Sequence, residues 1–296
     1  MSRSKGHEQD TSSLYFSFSR VAVLCVYRVL ITVRLKTQGT TPLCAQTARC
    51  LLGRYSKCPT ADVHLARAAV AAGVRRFVFI STNAAAGFAT DARTPMRESD
   101  LPRPESHYGK SKREGEEALW HLLADTKTEG VVVRPTTFYG PHFPQRHLRA
   151  YKMARSGRPL LIGNGTNSVS MVYIDNLVQG LGLALSAPPA AGQTYFFADE
   201  KPYLWQDIFY AMGRALDVKV KPRRLPKSIA SLCNILDGGF GAVGYYHLLI
   251  HVAGEATRDM GCSIDKARRE LGYAPAVTLD EGMKEAVAWA RTQGWL

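Results

Sequence analysis

The chain has 296 residues, 46% of them hydrophobic, which is ample for a sizeable core in one large α/β domain or two closely joined lobes. Its net charge of +13 points toward nucleic acid only until it is located: residues 1–60 hold nine Lys/Arg against two acids, and the rest of the chain is only modestly basic. No Lys/Arg run with interleaved aromatics occurs, so nucleic acid is excluded as a partner, and six cysteines without a C-x-x-C pair speak against zinc and for free thiols in a reducing compartment.

Residues 1–60 form an atypical basic N-terminal segment. There is no Asp or Glu between Thr11 and Thr60, and four of the six cysteines lie here. The stretch VAVLCVYRVLITVRL (21–35) is β-branched and predicts a strand. Arg28 and Arg34 interrupt it well short of the roughly 20 apolar residues that cross a bilayer. Two readings stay open: an acid-poor organelle leader, or a misassembled start of the reading frame.

From Asp62 the pattern becomes regular. DVHLARAAVAAG predicts a helix with Val63, Ala66 and Val70 on its apolar face and Gly73 at its stop. RRFVFIST (75–82) is a short, continuously apolar run, the pattern of a strand covered on both faces. A proline-containing loop leads to SHYGKSKREGEEAL (106–119), a second helix, and EGVVVRPTTF (129–138) is another buried strand ended by Pro135. Helix, strand, loop, helix, strand predicts a Rossmann-like doubly wound parallel sheet. Its incomplete core covers residues 61–150. Residues 151–296 are mainly a smaller substrate lobe, with 173–186 returning to the core. Within that lobe Gly163-Asn164-Gly165 predicts a hairpin or bend. SIDKARRELGYAP predicts a helix capped by Ser263 and stopped at Gly272, and Thr278 with Glu281 has capping-box spacing.

The chemistry lies in the second helix. Tyr108 and Lys112 are four residues apart and share a face that continues through Leu119 and Leu123 toward protein. A tyrosine with its ordinary pKa of about 10 is a poor acid or base at neutral pH. A neighbouring ammonium favours the phenolate. Lys112 therefore makes Tyr108 usable as a base toward an alcohol or an acid toward a ketone. Ser81 and Thr82, at the C-terminal end of the preceding strand, are the hydroxyls to orient a substrate oxygen, since open α/β sheets bind ligands at that end.

A dinucleotide also needs a tight glycine turn at a helix N-terminus for its diphosphate. Residues 1–60 contain only Gly6, Gly39 and Gly53, far apart. The one G-x-G-x-x-G, at Gly239, Gly241 and Gly244, follows a helical pattern rather than a strand and is read as a flexible loop.

Taken together, AAGVRRFVFIST, YGKSK, VVVRPTTFYGP, IGNGTNSVSMVYIDNLV and ARRELGYAPAVTLDEGM, in this order, resemble the extended short-chain dehydrogenase/reductase family. That family includes the NAD-dependent epimerases and dehydratases and the 3β-hydroxysteroid dehydrogenases. The resemblance covers residues 61–296. It implies NAD or NADP as cofactor and no metal. It implies Tyr108 as the proton-transfer residue and Lys112 bonding the nicotinamide ribose. Thr82 is implied as the substrate-orienting hydroxyl with Ser81 beside it, and Pro135 as lining the nicotinamide. The family's supporting Asn has no counterpart, Asp62 being the nearest polar residue. Val169 stands where nucleotide-sugar enzymes carry a diphosphate-gripping arginine. This favours an apolar alcohol or ketone of 3β-hydroxysteroid or sterol type, with a nucleotide-sugar epimerase/dehydratase and a truncated, non-catalytic isoform as alternatives. Residues 228–254 carry one acid and no Lys or Arg, and in the steroid branch this region touches membrane superficially. The implied partners are a small-molecule substrate and a second copy in a homodimer, and the implied location is the cytoplasm or a membrane surface.

Overall fold

The computed structural model describes residues 21–24, 59–242 and 247–296. Its main sheet has four strands: β1 (Val21–Leu24), β2 (Arg76–Ile80), β3 (Glu129–Pro135) and β8 (Gln193–Phe197), in the order β1-β2-β3-β8. Every pairing is parallel, with Val21 opposite Arg76, Ile80 opposite Val133 and Pro135 opposite Phe197. The expected strand in 21–35 is thus present at 21–24, beside β2; the rest of that stretch lies outside the described residues.

Parallel strands need crossovers, and the helices between them cover both faces. Helices α1 (Pro59–Ala71) and α2 (His107–Leu123) cover one face, where Ala66, Ala69, Leu119 and Leu123 pack on Phe77, Phe79 and Val132. Helices α4 (Ile174–Ser186) and α8 (Asp265–Leu271) cover the other, where Leu177, Ala184, Ala267 and Leu271 pack on Val78, Val131, Val133 and Phe197. Successive strand residues alternate between these layers, as the period of two requires. The doubly wound α/β class expected above is therefore the one observed. Strand β8 and helix α8 join the main sheet from beyond residue 186; the apolar run in QTYFFA is the signal that marks β8.

The remaining elements form a second apolar cluster of Tyr139, Phe143, Tyr151, Ile208, Phe209 and Met283, among others. It is built by α3 (Leu148–Arg155), α5 (Trp205–Ala215) and α9 (Leu279–Thr292). Beside them lie three two-stranded pairings. Strand β4 (Thr137–Tyr139) runs parallel to β7 (Met171–Tyr173), β5 (Leu160–Ile162) parallel to β10 (Arg223–Leu225), and β6 (Ser168–Val169) antiparallel to β9 (Tyr203–Leu204).

Three local expectations are corrected. The Gly163-Asn164-Gly165 segment is a bend and not a hairpin, because β5 and β6 pair with different partners. Helix α8 has Ile264 at its N-cap; the Ser263 hydroxyl still accepts the Asp265 N–H at 3.1 Å, one position outside the usual register. Helix α6 (Ser228–Ala242) runs through Gly238 and Gly239, so this part of the glycine run is helical rather than loop. Gly272 closes α8 in the left-handed conformation at φ 69°, and the Thr278–Glu281 capping box opens α9, both as expected.

Candidate active site

Helix α2 begins at the C-terminal ends of the parallel strands, and its first turn is fixed closely. Ser106 caps it by accepting the Gly109 N–H at 3.1 Å. Gly109 lies so near the turn after β2 that a Cβ there would come within 2.3 Å of the Ala84 carbonyl oxygen. Only glycine permits this approach, and it seats the half-buried Tyr108 beside the Thr82–Ala85 turn.

Lys112 points inward and is only 6% exposed. Its Nζ donates to the Ile80 carbonyl at 3.3 Å, lies 3.7 Å from Asp62 Oδ2 and sits 4.8 Å from the centre of the Phe79 ring. The ammonium is thus held at the end of β2, one helical turn below Tyr108 on the same face. Two turns below Tyr108, Glu116 takes both Nε and Nη2 of Arg134 on β3, at 2.8 and 2.6 Å, in a buried bidentate pair. Tyr108, Lys112 and Glu116 form one stripe that registers α2 against β2 and β3.

The two strand-end hydroxyls differ. Thr82 Oγ1 accepts the Ala84 N–H and donates to Asn83 Oδ1, each at 3.3 Å, and so caps the turn. Ser81 is 4% exposed, and its Oγ has no hydrogen-bond partner in the described structure. Its backbone is fixed by the bond from Ser81 N to Val133 O at 2.7 Å, and strand alternation places it on the Phe79 side, facing α2. Pro135 ends β3 half-buried. The next residue, Thr136, also carries a buried hydroxyl without a partner, a feature that sequence reading did not single out. Buried hydroxyls are ordinarily paired, so two orphans at adjacent strand ends fit a polar group arriving there. The nicotinamide end of a dinucleotide fits these residues. For the diphosphate end, the sequence of residues 25–58, which lie outside the described structure, contains only Gly39 and Gly53.

Val169 is 3% exposed within the second apolar cluster, paired with Tyr203 and bridged to Met260. Asp199, 2% exposed, accepts from Tyr139, Tyr203, the Tyr173 N–H and Asn176 at 2.8 to 3.1 Å. Burial holds its carboxyl above the usual range, and these four donors work against that shift. A polar cavity of about 150 Å³ lies by the 163–165 bend, lined in part by Asn164, Thr166, Asn167, Lys227 and Asp259. Among the described residues no three His, Cys, Asp or Glu converge as a metal set.

A parallel α/β sheet with a Tyr-x-x-x-Lys helix at the C-terminal ends of its strands defines a short-chain dehydrogenase/reductase type of protein. The profile of the NAD dependent epimerase/dehydratase family matches residues 60–196. The chain is 39% identical over 78% of its length to the uncharacterized protein y4nL of Sinorhizobium fredii, covering 67% of that protein. The chain belongs to the NAD-dependent epimerase/dehydratase family, within the extended short-chain dehydrogenases/reductases. It is 33% identical to a UDP-glucose 4-epimerase of Vibrio cholerae (75% of this chain, 65% of that one). It is 29% identical to a 2-alkyl-3-oxoalkanoate reductase of Stenotrophomonas maltophilia (73% and 68%). Thus the chain spans about two thirds of the length of these relatives. In fold it is similar to UDP-glucuronic acid 4-epimerase from Bacillus cereus in complex with NAD, with a TM-score of 0.62 and 20% identity, covering 79% of this chain and 67% of that one. Members of this family are enzymes, and the nicotinamide dinucleotide is their cofactor.

Proposed function

We propose that this chain is a NAD(P)-dependent oxidoreductase in which Tyr108 moves the proton of a substrate hydroxyl or carbonyl oxygen. The observation that carries the reading is the Lys112 ammonium, buried at the end of β2 one turn from Tyr108. A fixed positive charge there favours the phenolate and opens proton transfer near neutral pH. Ser81, with its buried hydroxyl uncommitted, and Thr82 beside it orient the substrate oxygen. Lys112 and Tyr108 hold the nicotinamide ribose, with Pro135 against the ring. When bound, NAD(P) accepts or supplies the hydride.

The substrate in this reading is an apolar alcohol or ketone of 3β-hydroxysteroid or sterol type. Val169 supports it: the side chain belongs to the apolar core and supplies no charge to a diphosphate. A nucleotide-sugar epimerase/dehydratase is the second reading. It is supported by the similarity to the UDP-glucose 4-epimerase, by the polar cavity at the bend and by the exposed Arg149, Arg155 and Arg158. The test is an NADH fluorescence titration followed by turnover assays with a hydroxysteroid, a sterol and UDP-glucose. Sterol turnover is expected with only weak NADH binding, because residues 25–58 carry no glycine-rich motif for the diphosphate. Turnover of UDP-glucose alone moves the chain to the second reading, and no binding of NADH makes it a non-catalytic isoform.

Superficial contact with a bilayer belongs to the same proposal. Helix α6 and helix α7 (Leu248–Glu255) expose Leu232, Ile235, Leu236, Leu249 and Val252. Lys219, Lys221, Arg223, Arg224 and Lys227, all exposed, precede them. Among the described residues no helix is long and apolar enough to cross a membrane, so the contact is interfacial. Ile235→Asp is expected to abolish flotation with phosphatidylserine-containing vesicles; flotation unchanged by the substitution removes this part of the proposal.

A further inference from the structure

The ion pair between Lys112 and Asp62 is the feature of this site that the reading above leaves unused. We infer that Asp62 is a positioning residue for the reacting pair. Its carboxylate holds the Lys112 ammonium and weakens the positive field that this ammonium puts on the Tyr108 hydroxyl. Asp62 thereby sets the pH at which Tyr108 changes protonation state. The inference rests on the reading of Tyr108 and Lys112 as the reacting pair.

Three elements supply the described surroundings of the Lys112 ammonium. Helix α2 supplies Tyr108 and Lys112. Strand β2 supplies neutral groups, the Ile80 carbonyl and the Phe79 ring. Helix α1 supplies Asp62, 3.7 Å from the ammonium, and Lys112 is the charged neighbour that acts on its carboxyl. Further along the stripe, Glu116 of α2 is paired with Arg134 of β3 and with Arg113. Coulomb attraction between unit charges at this distance exceeds what a neutral carbonyl or a ring face offers the same cation, so among these described partners Asp62 pulls most strongly on the ammonium.

A plainer role for Asp62 is to start α1, since an acid in the first helical turn complements the helix dipole. That role is best served by an exposed carboxylate. The Asp62 side chain is only 18% exposed and the Lys112 side chain 8%. Burial holds the Asp62 carboxyl above the usual carboxylate range against the opposing pull of Lys112. Burying such a pair costs desolvation that the attraction offsets only in part. A helix start alone gives no reason to place the acid against the one buried lysine of the reacting face. An asparagine of the same shape would keep a polar contact with Lys112 and leave the full cationic field on Tyr108.

The experiment is an ultraviolet tyrosinate titration that needs neither cofactor nor substrate. The chain has 13 Tyr, so the Tyr108 contribution is isolated by subtracting the titration of Tyr108→Phe in each background. Asp62→Asn is expected to lower the Tyr108 midpoint by about one pH unit, and Lys112→Met to raise it. Asp62→Glu restores the native midpoint. If Asp62→Asn does not fold, Asp62→Ser reads the same effect. A Tyr108 midpoint that Lys112→Met raises and the Asp62 variants leave unchanged overturns the inference and leaves the reacting pair intact. A midpoint unmoved by either substitution overturns both.

Discussion

Replacing Tyr108 with phenylalanine is expected to lower turnover about 10²–10⁴-fold while the circular dichroism spectrum and thermal midpoint stay as in the native chain. The size follows from the chemistry: the substitution removes the one hydroxyl placed to give or take the proton and leaves the ring. The harmless effect on folding follows from position. Tyr108 is only half-buried in the first turn of α2, and the helix start is held by the Ser106 cap and the Gly109 approach to Ala84, neither of which uses the phenol. A comparison with Ser81→Ala and Thr82→Val sharpens the result. Among the described residues the Ser81 hydroxyl has no hydrogen bond to lose, so Ser81→Ala should reduce activity without loss of stability. Thr82→Val breaks the cap on the Asn83–Ala85 turn and should lower both. The decisive measurement is the rate of Tyr108→Phe with a substrate found active in the turnover assays. A rate equal to that of the native chain removes Tyr108 from the chemistry.

Much of this site is legible in the sequence because its parts are local. The i, i+4 spacing of Tyr108 and Lys112, and the apolar run of β2 ending in Ser-Thr, are carried by segments of a few residues whose period states which side faces the core. The same holds for the Gly272 stop and the Thr278–Glu281 capping box. What is not legible depends on neighbours far apart in the chain. Asp62 is 50 positions from Lys112 and reads as an acid near a helix start. Glu116 reads as one of several charges on an amphipathic helix, and Arg134 as a cation oddly placed in a strand run. That oddity was the available signal, since a charge inside a buried strand needs a partner. The 163–165 segment was ambiguous for a related reason: glycines specify a reversal, but the pairing of β5 with β10 and of β6 with β9 is decided by residues 223–225 and 203–204.

The largest expected loss of stability follows from Arg134 and Glu116. Their side chains are 3% and 1% exposed, joined by two charge-assisted bonds, with Arg134 also 5.7 Å from the centre of the Phe196 ring. Glu116→Ala leaves the Arg134 guanidinium in the interior without its hydrogen-bonded carboxylate and is expected to cost about 3–5 kcal/mol. Arg134→Met should cost a similar amount, because it strands the carboxylate with only the partly exposed Arg113 at 3.3 Å. The double variant Glu116→Leu with Arg134→Met is expected to recover much of this loss, since an apolar pair of similar volume removes both buried charges together. Urea unfolding of the two single variants and the double one reads the coupling, and single losses that add in the double variant would show that the pair is not acting as a unit. Activity separates from stability in the same set. The double variant restores packing but not the two directional bonds that set the height of α2 over β3. Tyr108 lies two turns along that stripe, so its oxygen is displaced from the strand ends even where the fold is regained. The double variant is therefore expected to remain slow although it is stable, which distinguishes a pair that holds the catalytic helix in register from one that merely fills the core.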